Sequence, residues 1–320
     1  MIDTTINNST VRLVTRENGI QRDQEQAGLK PRRGTTMVVD TFEPVTLAEL
    51  NDHAALLTRR DRKYAVNAAT AEEFIAALPV GTRALDIDGN RSFPYASLYA
   101  DTPQRHSFLL ASHGRRRRFK IRTRSHGYHA PVFMEIKTPG PRGLIVKDQV
   151  GALPNEAVDD RSDLPKLWGL LAESGLLSVA LSALDFRGVT SPAVGTLRPC
   201  LEITYNRSTL LMPDEHARVT VDTDLTFRAV TPRSHGEGWD SDEEAWRGEV
   251  EVSDPITLDD FAIIETKTDG AATSVDFHLW RKGKRPDRVS KFGIGMALTN
   301  PDLPAHRWGR VLRAIESGTL

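Results

Sequence analysis

The sequence predicts an α+β fold dominated by strands. Short segments with period-2 alternation recur between residues 59 and 267, while helical spacing is confined to a few stretches. The 320 residues are 39% hydrophobic and 27% charged, which is ample apolar material for a folded core. Lys plus Arg number 42 against 43 Asp plus Glu, a formal charge of −1, so overall basicity does not suit a coat for nucleic acid and any anion site is local. No apolar stretch approaches the roughly 18 residues of a membrane span. Leu176 to Leu184, for instance, is interrupted by Ser178 and Ser182. The first residues lack a basic and an apolar signal region, and the single cysteine, Cys200, has no internal disulfide partner. A soluble chain in a reducing compartment, with the cytoplasm as default location, is the expectation.

Residues 1–40 are polar and lack an apolar period, so they are expected to be a poorly ordered tail, leaving 41–320 as one domain. Thr46 to Leu57 has helical spacing, and Arg59 to Val66 reads as a strand. Thr70-Ala71-Glu72-Glu73 has the capping-box pattern and opens a helix through Phe74, Ile75 and Leu78, which Pro79 ends. Strands follow at Ala96 to Tyr99, Phe108 to Ser112, Arg117 to Arg124 and Val132 to Lys137. Ser162 to Leu184 is helical, with Leu164, Leu167, Trp168 and Leu171 on one face and a break at Gly175. Strands resume at Leu201 to Arg207, Arg218 to Arg228, Trp246 to Val252 and Phe261 to Lys267. Helices close the chain at Thr273 to Trp280 and Ala305 to Ile315. The Gly- and Asp-rich segment Ser234 to Glu244 reads as a hairpin loop.

Several strands carry charge on alternating positions. Lys120, Arg122 and Arg124 share a face opposite Phe119, Ile121 and Thr123. Phe133, Glu135 and Lys137 oppose Val132, Met134 and Ile136. Arg218, Asp222, Asp224 and Arg228 oppose Val219, Val221, Leu225 and Phe227, and Glu265 and Lys267 oppose Ile264 and Thr266. Such a face is either solvated or lines a water-filled cavity. Arg forks, mobile Lys charges and a few carboxylates able to hold Mg²⁺ or Mn²⁺ suit a polyanion with a divalent metal. The run Arg115-Arg116-Arg117-Arg118 reads as a hairpin end feeding a strand, since stacking aromatics are scarce around it. No Gly-x4-Gly-Lys-Ser/Thr occurs, so a P-loop is absent.

In order along the chain, Arg60-Asp61-Arg62-Lys63-Tyr64, Ser97-Leu98-Tyr99-Ala100-Asp101-Thr102, Lys120 to Arg124 and Phe133 to Lys137 are followed by Tyr205-Asn206-Arg207, Arg218 to Asp224, Ile264 to Lys267 and Ser290-Lys291-Phe292. This series, covering roughly residues 58 to 296, resembles the VTC domain, the polyphosphate polymerase branch of the triphosphate tunnel metalloenzymes in the CYTH-like superfamily. The resemblance implies an antiparallel β-barrel of about eight strands around a basic tunnel, with peripheral helices. It places Lys291, Arg122, Arg124 and Arg207 at the transferring phosphate as the catalytic set. Lys63, Lys120, Lys137, Lys147, Tyr205, Arg218 and Lys267 fall along the phosphate chain, and Glu265 on a Mn²⁺ or Mg²⁺ ion. For four of these the residues leave an alternative open. Tyr205 shares its face with Leu201 and Ile203 and so suits core packing, and Glu265 suits neutralisation of Lys267 or an Arg. Lys63 and Lys137 suit a solvated surface. Asp222 and Asp224 suit either the metal or an ion pair with Arg218 or Arg228.

The chain departs from the family at Pro139, where the polymerase has a histidine, at Gln149, where an Arg of a Lys-x-Arg is lost, and at Ala100, where a Phe is usual. The implied function is metal-dependent transfer on linear phosphate chains, most concretely polyphosphate synthesis from the γ-phosphate of ATP. Hydrolysis of triphosphate or polyphosphate and non-catalytic polyphosphate binding are the alternatives. The expected partners are ATP, pyrophosphate, triphosphate or polyphosphate, and not nucleic acid. Membrane coupling would need a partner protein, because the family's eukaryotic polymerases carry a phosphate-sensing SPX domain and membrane helices that this chain does not show.

Overall fold

Alternation of apolar and charged residues builds long antiparallel strands with two unlike faces, and the fold follows from covering both. The computed structural model describes residues 39–54, 60–126, 131–140, 145–153, 164–189, 197–232 and 250–320. Nearly all of the expected tail and the expected hairpin loop Ser234 to Glu244 lie outside the described residues. Among the described residues no helix is long and apolar enough to cross a membrane.

The chain begins with β1 (Glu43–Val45), α1 (Leu47–Ala54), β2 (Arg60–Val66), α2 (Ala68–Ala76) and β3 (Arg83–Leu85). Next come β4 (Phe93–Asp101), α3 (His106–Ser112), β5 (Lys120–His126), β6 (Val132–Pro139) and β7 (Ile145–Leu153). Helices α4 (Leu164–Glu173) and α5 (Leu176–Phe186) precede two long strands, β8 (Arg198–Met212) and β9 (Ala217–Pro232). The short β10 (Val250–Val252) and β11 (Ile256–Leu258) lead to β12 (Ala262–Thr268), α6 (Ser274–Arg281), α7 (Lys291–Thr299) and α8 (Gly309–Ser317).

The 12-stranded sheet has the main order β2-β12-β9-β8-β4-β5-β6-β7, and neighbours along it are antiparallel. The α+β class and the antiparallel sheet match the expectation, but the barrel is not closed by hydrogen bonds. Among the described residues no ladder joins β2 to β7. The segment after α6 takes the free edge of β2 instead: the Asp287 N–H donates to the Lys63 carbonyl at 2.6 Å, and the Ala65 N–H donates to the Asp287 carboxylate at 3.4 Å.

The apolar outer positions are covered in two blocks. Leu98, Ile121, Met134 and Ile136 pack under Leu167, Trp168, Leu171 and Leu184 of α4 and α5. Tyr64, Val66, Val219, Val221 and Ile264 pack under Phe74 of α2 and Val275 and Leu279 of α6. The inner face is apolar at one end, where Leu201, Ile203, Leu225, Phe227 and Ile263 surround Phe292, Ile294 and Met296 of α7. Helix α7 is therefore not peripheral. A Cβ on Gly295 would lie 2.5 Å from the Phe227 ring and 2.9 Å from Leu201, and one on Gly293 would collide with Trp308, so the helix can approach the sheet only because these positions lack side chains.

Four expectations are corrected. Phe108 to Ser112 is helical: the Asp101 carboxylate accepts the N–H groups of Thr102, Ser107 and Phe108 at 2.7–2.9 Å, satisfying the first turn of α3. Helix α2 starts at Ala68, with Asn67 accepting from the Thr70 N–H at 2.9 Å, so Thr70 lies inside it. The basic strand begins at Lys120, after a turn. Finally, β9 changes faces part-way. Asp224 has a left-handed φ of 55° where the register with β8 shifts, so Val219 and Val221 face outward while Leu225 and Phe227 face inward.

Candidate phosphate-chain site

Strand pairing brings the alternating charges of the inner face into register. Lys63 stands opposite Glu265, Arg218 opposite Lys267 and Arg207 opposite Asp222. Further along, Arg122 is opposite Glu135, and Lys120, Lys137 and Lys147 form one row across β5, β6 and β7. Lys291, the first residue of α7, joins them because Ser290 caps that helix, its hydroxyl accepting the Gly293 N–H at 3.0 Å.

Three buried carboxylates organise these cations. Glu265 contacts Lys63 at 2.8 Å and also Lys267, and Lys267 reaches Asp61 at 3.9 Å. Asp222 accepts from Arg207 Nη2 at 2.8 Å and from Lys291. Glu135 accepts from Arg122 Nη2 and Lys147 at 2.7 Å, with Arg124 at 3.9 Å. Against the opposing effect of burial, the charges of Arg122 and Arg124 and the bond from Lys147 hold the Glu135 carboxyl down at about 2. Glu265 is likewise held well below the usual range by Lys63 and Lys267 despite burial, and Asp222 by Arg207 and Lys291.

The cations still outnumber these carboxylates, and the lysines register the excess. Burial, followed by the charges of Lys63, Arg122, Arg118 and Arg307, brings Lys120 down to about 7. Lys137 is pushed well down by Arg122, burial, Arg124 and Lys63. Lys63 lies on the first strand of the sheet order, whereas Lys120 and Lys137 lie on the sixth and seventh. Asp287, whose N–H bonds the Lys63 carbonyl, lies three residues before Ser290, which accepts from Lys120, so the sheet curls until these charges share one interior.

An aromatic layer supports the cations. Tyr95 and Tyr205 stack at 5.2 Å between ring centres, Arg124 lies 4.7 Å from Tyr95, and Lys291 lies 4.4 Å from Tyr205. Arg122 donates to the Tyr99 hydroxyl at 3.1 Å. Tyr205 thus belongs both to the apolar cluster and to the cation layer. Tyr95 and Tyr99 join the site without having been expected there, although their position two and six residues along from inward Phe93 carries the signal.

All the expected site residues, Lys63, Lys120, Arg122, Arg124, Lys137, Lys147, Tyr205, Arg207, Arg218, Glu265, Lys267 and Lys291, occupy inner-face positions or the α7 start. The expected grouping of Asp222 and Asp224 with Arg218 and Arg228 is corrected. Asp222 pairs with Arg207 and Lys291, Asp224 accepts from Asn206 at the bulge at 2.9 Å, and Arg228 faces Glu202 at 3.5 Å. The bulge separates these residues.

Among the described residues no cluster of three or more His, Cys, Asp or Glu is placed to hold a metal by itself. Mg²⁺ and similar ions usually bind through one or two carboxylates plus substrate phosphates, and Glu265 with the neighbouring Asp61 supplies that donor set. Burial raises the Asp61 proton affinity, and Glu265 adds to this.

The chain is similar in structure to the PH1819 protein of Pyrococcus horikoshii OT3, at 14% identity and a TM-score of 0.35 over 72% of this chain and 91% of that one. It is also similar to the Hippeastrum adenylyl cyclase candidate HpAC1, whose dominant activity is triphosphatase, at 14% identity and a TM-score of 0.43 over 77% and 98% of the two chains. A Bacillus halodurans adenylate cyclase candidate matches at 15% identity and a TM-score of 0.38, over 73% and 94%. A search of curated proteins gives no match. The profile of the VTC domain matches residues 58–300, which span every element of the charged inner face from β2 to α7. The chain belongs to the VTC domain family.

Proposed function

We propose that this protein is a metal-dependent phosphotransferase on linear phosphate chains and that it makes polyphosphate from the γ-phosphate of ATP. The observation that carries this reading is the excess of buried cations on one curled face, with Lys291 presented to them by a helix start. In the reaction, an oxygen of the acceptor chain's terminal phosphate attacks the γ-phosphorus. The bond to the β,γ-bridging oxygen breaks, and ADP leaves with the electron pair. Such transfer asks the protein mainly for alignment and charge stabilisation.

Arg122 and Arg124 project from one strand, and Arg207 and Lys291 converge on Asp222, so guanidinium and ammonium groups reach the phosphoryl oxygens from several sides. The phosphate chain competes with Asp222 and Glu135 for these cations, and Tyr95 and Tyr205 keep the side chains extended beneath it. Glu265 and Asp61 would hold a divalent metal, which would supply positive charge to offset that of the phosphate oxygens. Lys63, Lys267 and Arg218 hold one stretch of the chain, and Lys120, Lys137 and Lys147 another.

Incubation with ATP and Mn²⁺, followed by electrophoresis for polyphosphate, tests the reading. Wild type should extend chains, and Lys291→Ala should reduce the rate about 100- to 1000-fold, the usual loss for one charge-stabilising group. Equal product from both proteins would remove Lys291 from the mechanism. Hydrolysis is the second reading, favoured by Gln149, which faces Glu135 with a neutral side chain and so weakens the grip on that stretch of chain. Phosphate release from triphosphate without chain growth would identify it.

A further inference from the structure

The run Arg115–Arg118 has no place in the ion-pair clusters of the inner face. It forms the turn between α3 and β5, with Arg115, Arg116 and Arg117 exposed and Arg118 half-buried two residues before Lys120. Beside this turn lies a pocket of about 220 Å³, lined by Pro286, Asp287, Arg288, Arg307, Trp308 and neighbouring α8 residues. Gly114 connects the two features. The Arg307 guanidinium packs so closely over it that a Cβ there would overlap Nη1, and Gly114 also needs its φ of 66°. Lys120 links the pocket to the interior, since its ammonium donates to the Ser290 hydroxyl at 2.8 Å, two residues from Arg288.

The charge balance of this corner is unusual. Arg310 is neutralised by Asp287, but among the described residues no ion pair engages Arg118, Arg288 or Arg307. Arg288 and Arg307 line the cavity, and burial, then the charges of Arg118 and Arg288, lower the proton affinity of Arg307, so Arg118 and Arg288 both repel the guanidinium that packs over the turn. An anion with several oxygens relieves that repulsion, and guanidinium forks match phosphate oxygens two at a time. Trp308, the aromatic residue of the pocket, is buried at 3% exposure and offers no stacking platform, which disfavours single-stranded nucleic acid.

We propose that Arg118, Arg288 and Arg307 form a second anion site, outside the inner face, that binds the phosphates of a linear polyphosphate chain running past Lys120. The site makes the protein hold long chains more tightly than triphosphate. This rests on the phosphate-chain reading above and adds to it a length preference and the residues that set it.

Calorimetric titration of wild type, Arg288→Gln and the double variant Arg118→Gln/Arg307→Gln, with triphosphate and with long-chain polyphosphate over a salt series, tests the site. Long-chain affinity should fall about two- to five-fold for each arginine removed, as for exposed ion pairs. The slope of log affinity against log salt should shrink by about 0.7 to 0.9 per arginine, while triphosphate affinity stays the same. Arg288 is exposed, so Arg288→Gln carries the test alone if the double variant melts early. Unchanged long-chain affinity, or an equal loss for triphosphate, overturns the second site while leaving the inner-face reading intact. Wild type binding neither chain overturns both. Loss of single-stranded RNA binding in the variants, with polyphosphate binding unaltered, reassigns the arginines to nucleic acid and also overturns the proposal.

Discussion

Asp276 and Asp222 are both fully buried carboxylates on opposite faces of the same part of the sheet, and their surroundings differ in kind. Asp276 accepts from the Tyr64 and Thr266 hydroxyls at 2.6 and 2.9 Å and from the Thr273 N–H and hydroxyl at 2.8 and 2.9 Å. Arg62 lies 3.5 Å away and spends its other donors on the Gly270 and Ala271 carbonyls. That network is closed within the protein and fastens α6 to the outer face. Asp222 is held by two cations, Arg207 and Lys291, that belong to a larger positive set. Burial of charge is common to both. What separates a structural network from a binding surface is whether donors and acceptors balance.

The comparison can be broken most forcefully at Asp276. Asp276→Ala leaves the Tyr64 and Thr266 hydroxyls without their acceptor and Arg62 without its counter-charge, and should lower stability by about 3–5 kcal/mol, read from denaturant unfolding, with no recovery on adding triphosphate. Asp222→Asn should lower stability by about 2–3 kcal/mol, yet triphosphate should restore much of it, because phosphate oxygens replace the lost acceptor. Equal responses of the two variants to triphosphate would erase the distinction. Gly295→Ala should lower the thermal midpoint through about 1–3 kcal/mol of overpacking against Phe227 and Leu201.

The most gradual effect is the pH response of Lys120, which sits at about 7 in the folded protein against an ordinary lysine value of 10.5. Between those values the unfolded chain binds the extra proton, so ligand-free stability should rise with pH from about 7 upward. Bound phosphate favours the ammonium form, so chain affinity should be full below about pH 7 and fall as pH rises, by up to about tenfold per unit. Calorimetry at pH 8 in buffers of different ionisation heat should show proton uptake on binding, and Lys120→Met should reduce it.

The pattern of charge was legible because a strand shows its two faces every second residue, and that local rule holds wherever the strand lies. It located Lys120, Arg122, Arg124, Glu135, Lys137, Glu265 and Lys267 correctly on one face. It failed on β9, where the extra residue at Asp224 moves every later side chain to the opposite face. Helix α7 escaped notice because Gly293 and Gly295 have low helix propensity, and they are tolerated because close packing against Trp308 and Phe227 requires them. Phe108 to Ser112 is a short apolar run that suits either a strand or a helix until Asp101 is seen to satisfy its N–H groups.

The sequence by itself determined the α+β class, the alternation of cations along the strands and the VTC resemblance, since these rest on residues close together in the chain. The tertiary structure decided which charges meet. Asp222 takes Arg207, 15 residues away, and Lys291, 69 residues away, and Lys63 comes within the field of Lys120 and Lys137. Such pairings depend on the curl of the sheet, the register at one bulge and the depth to which α7 enters. Those quantities are set by packing across the whole molecule and leave no local trace in the chain.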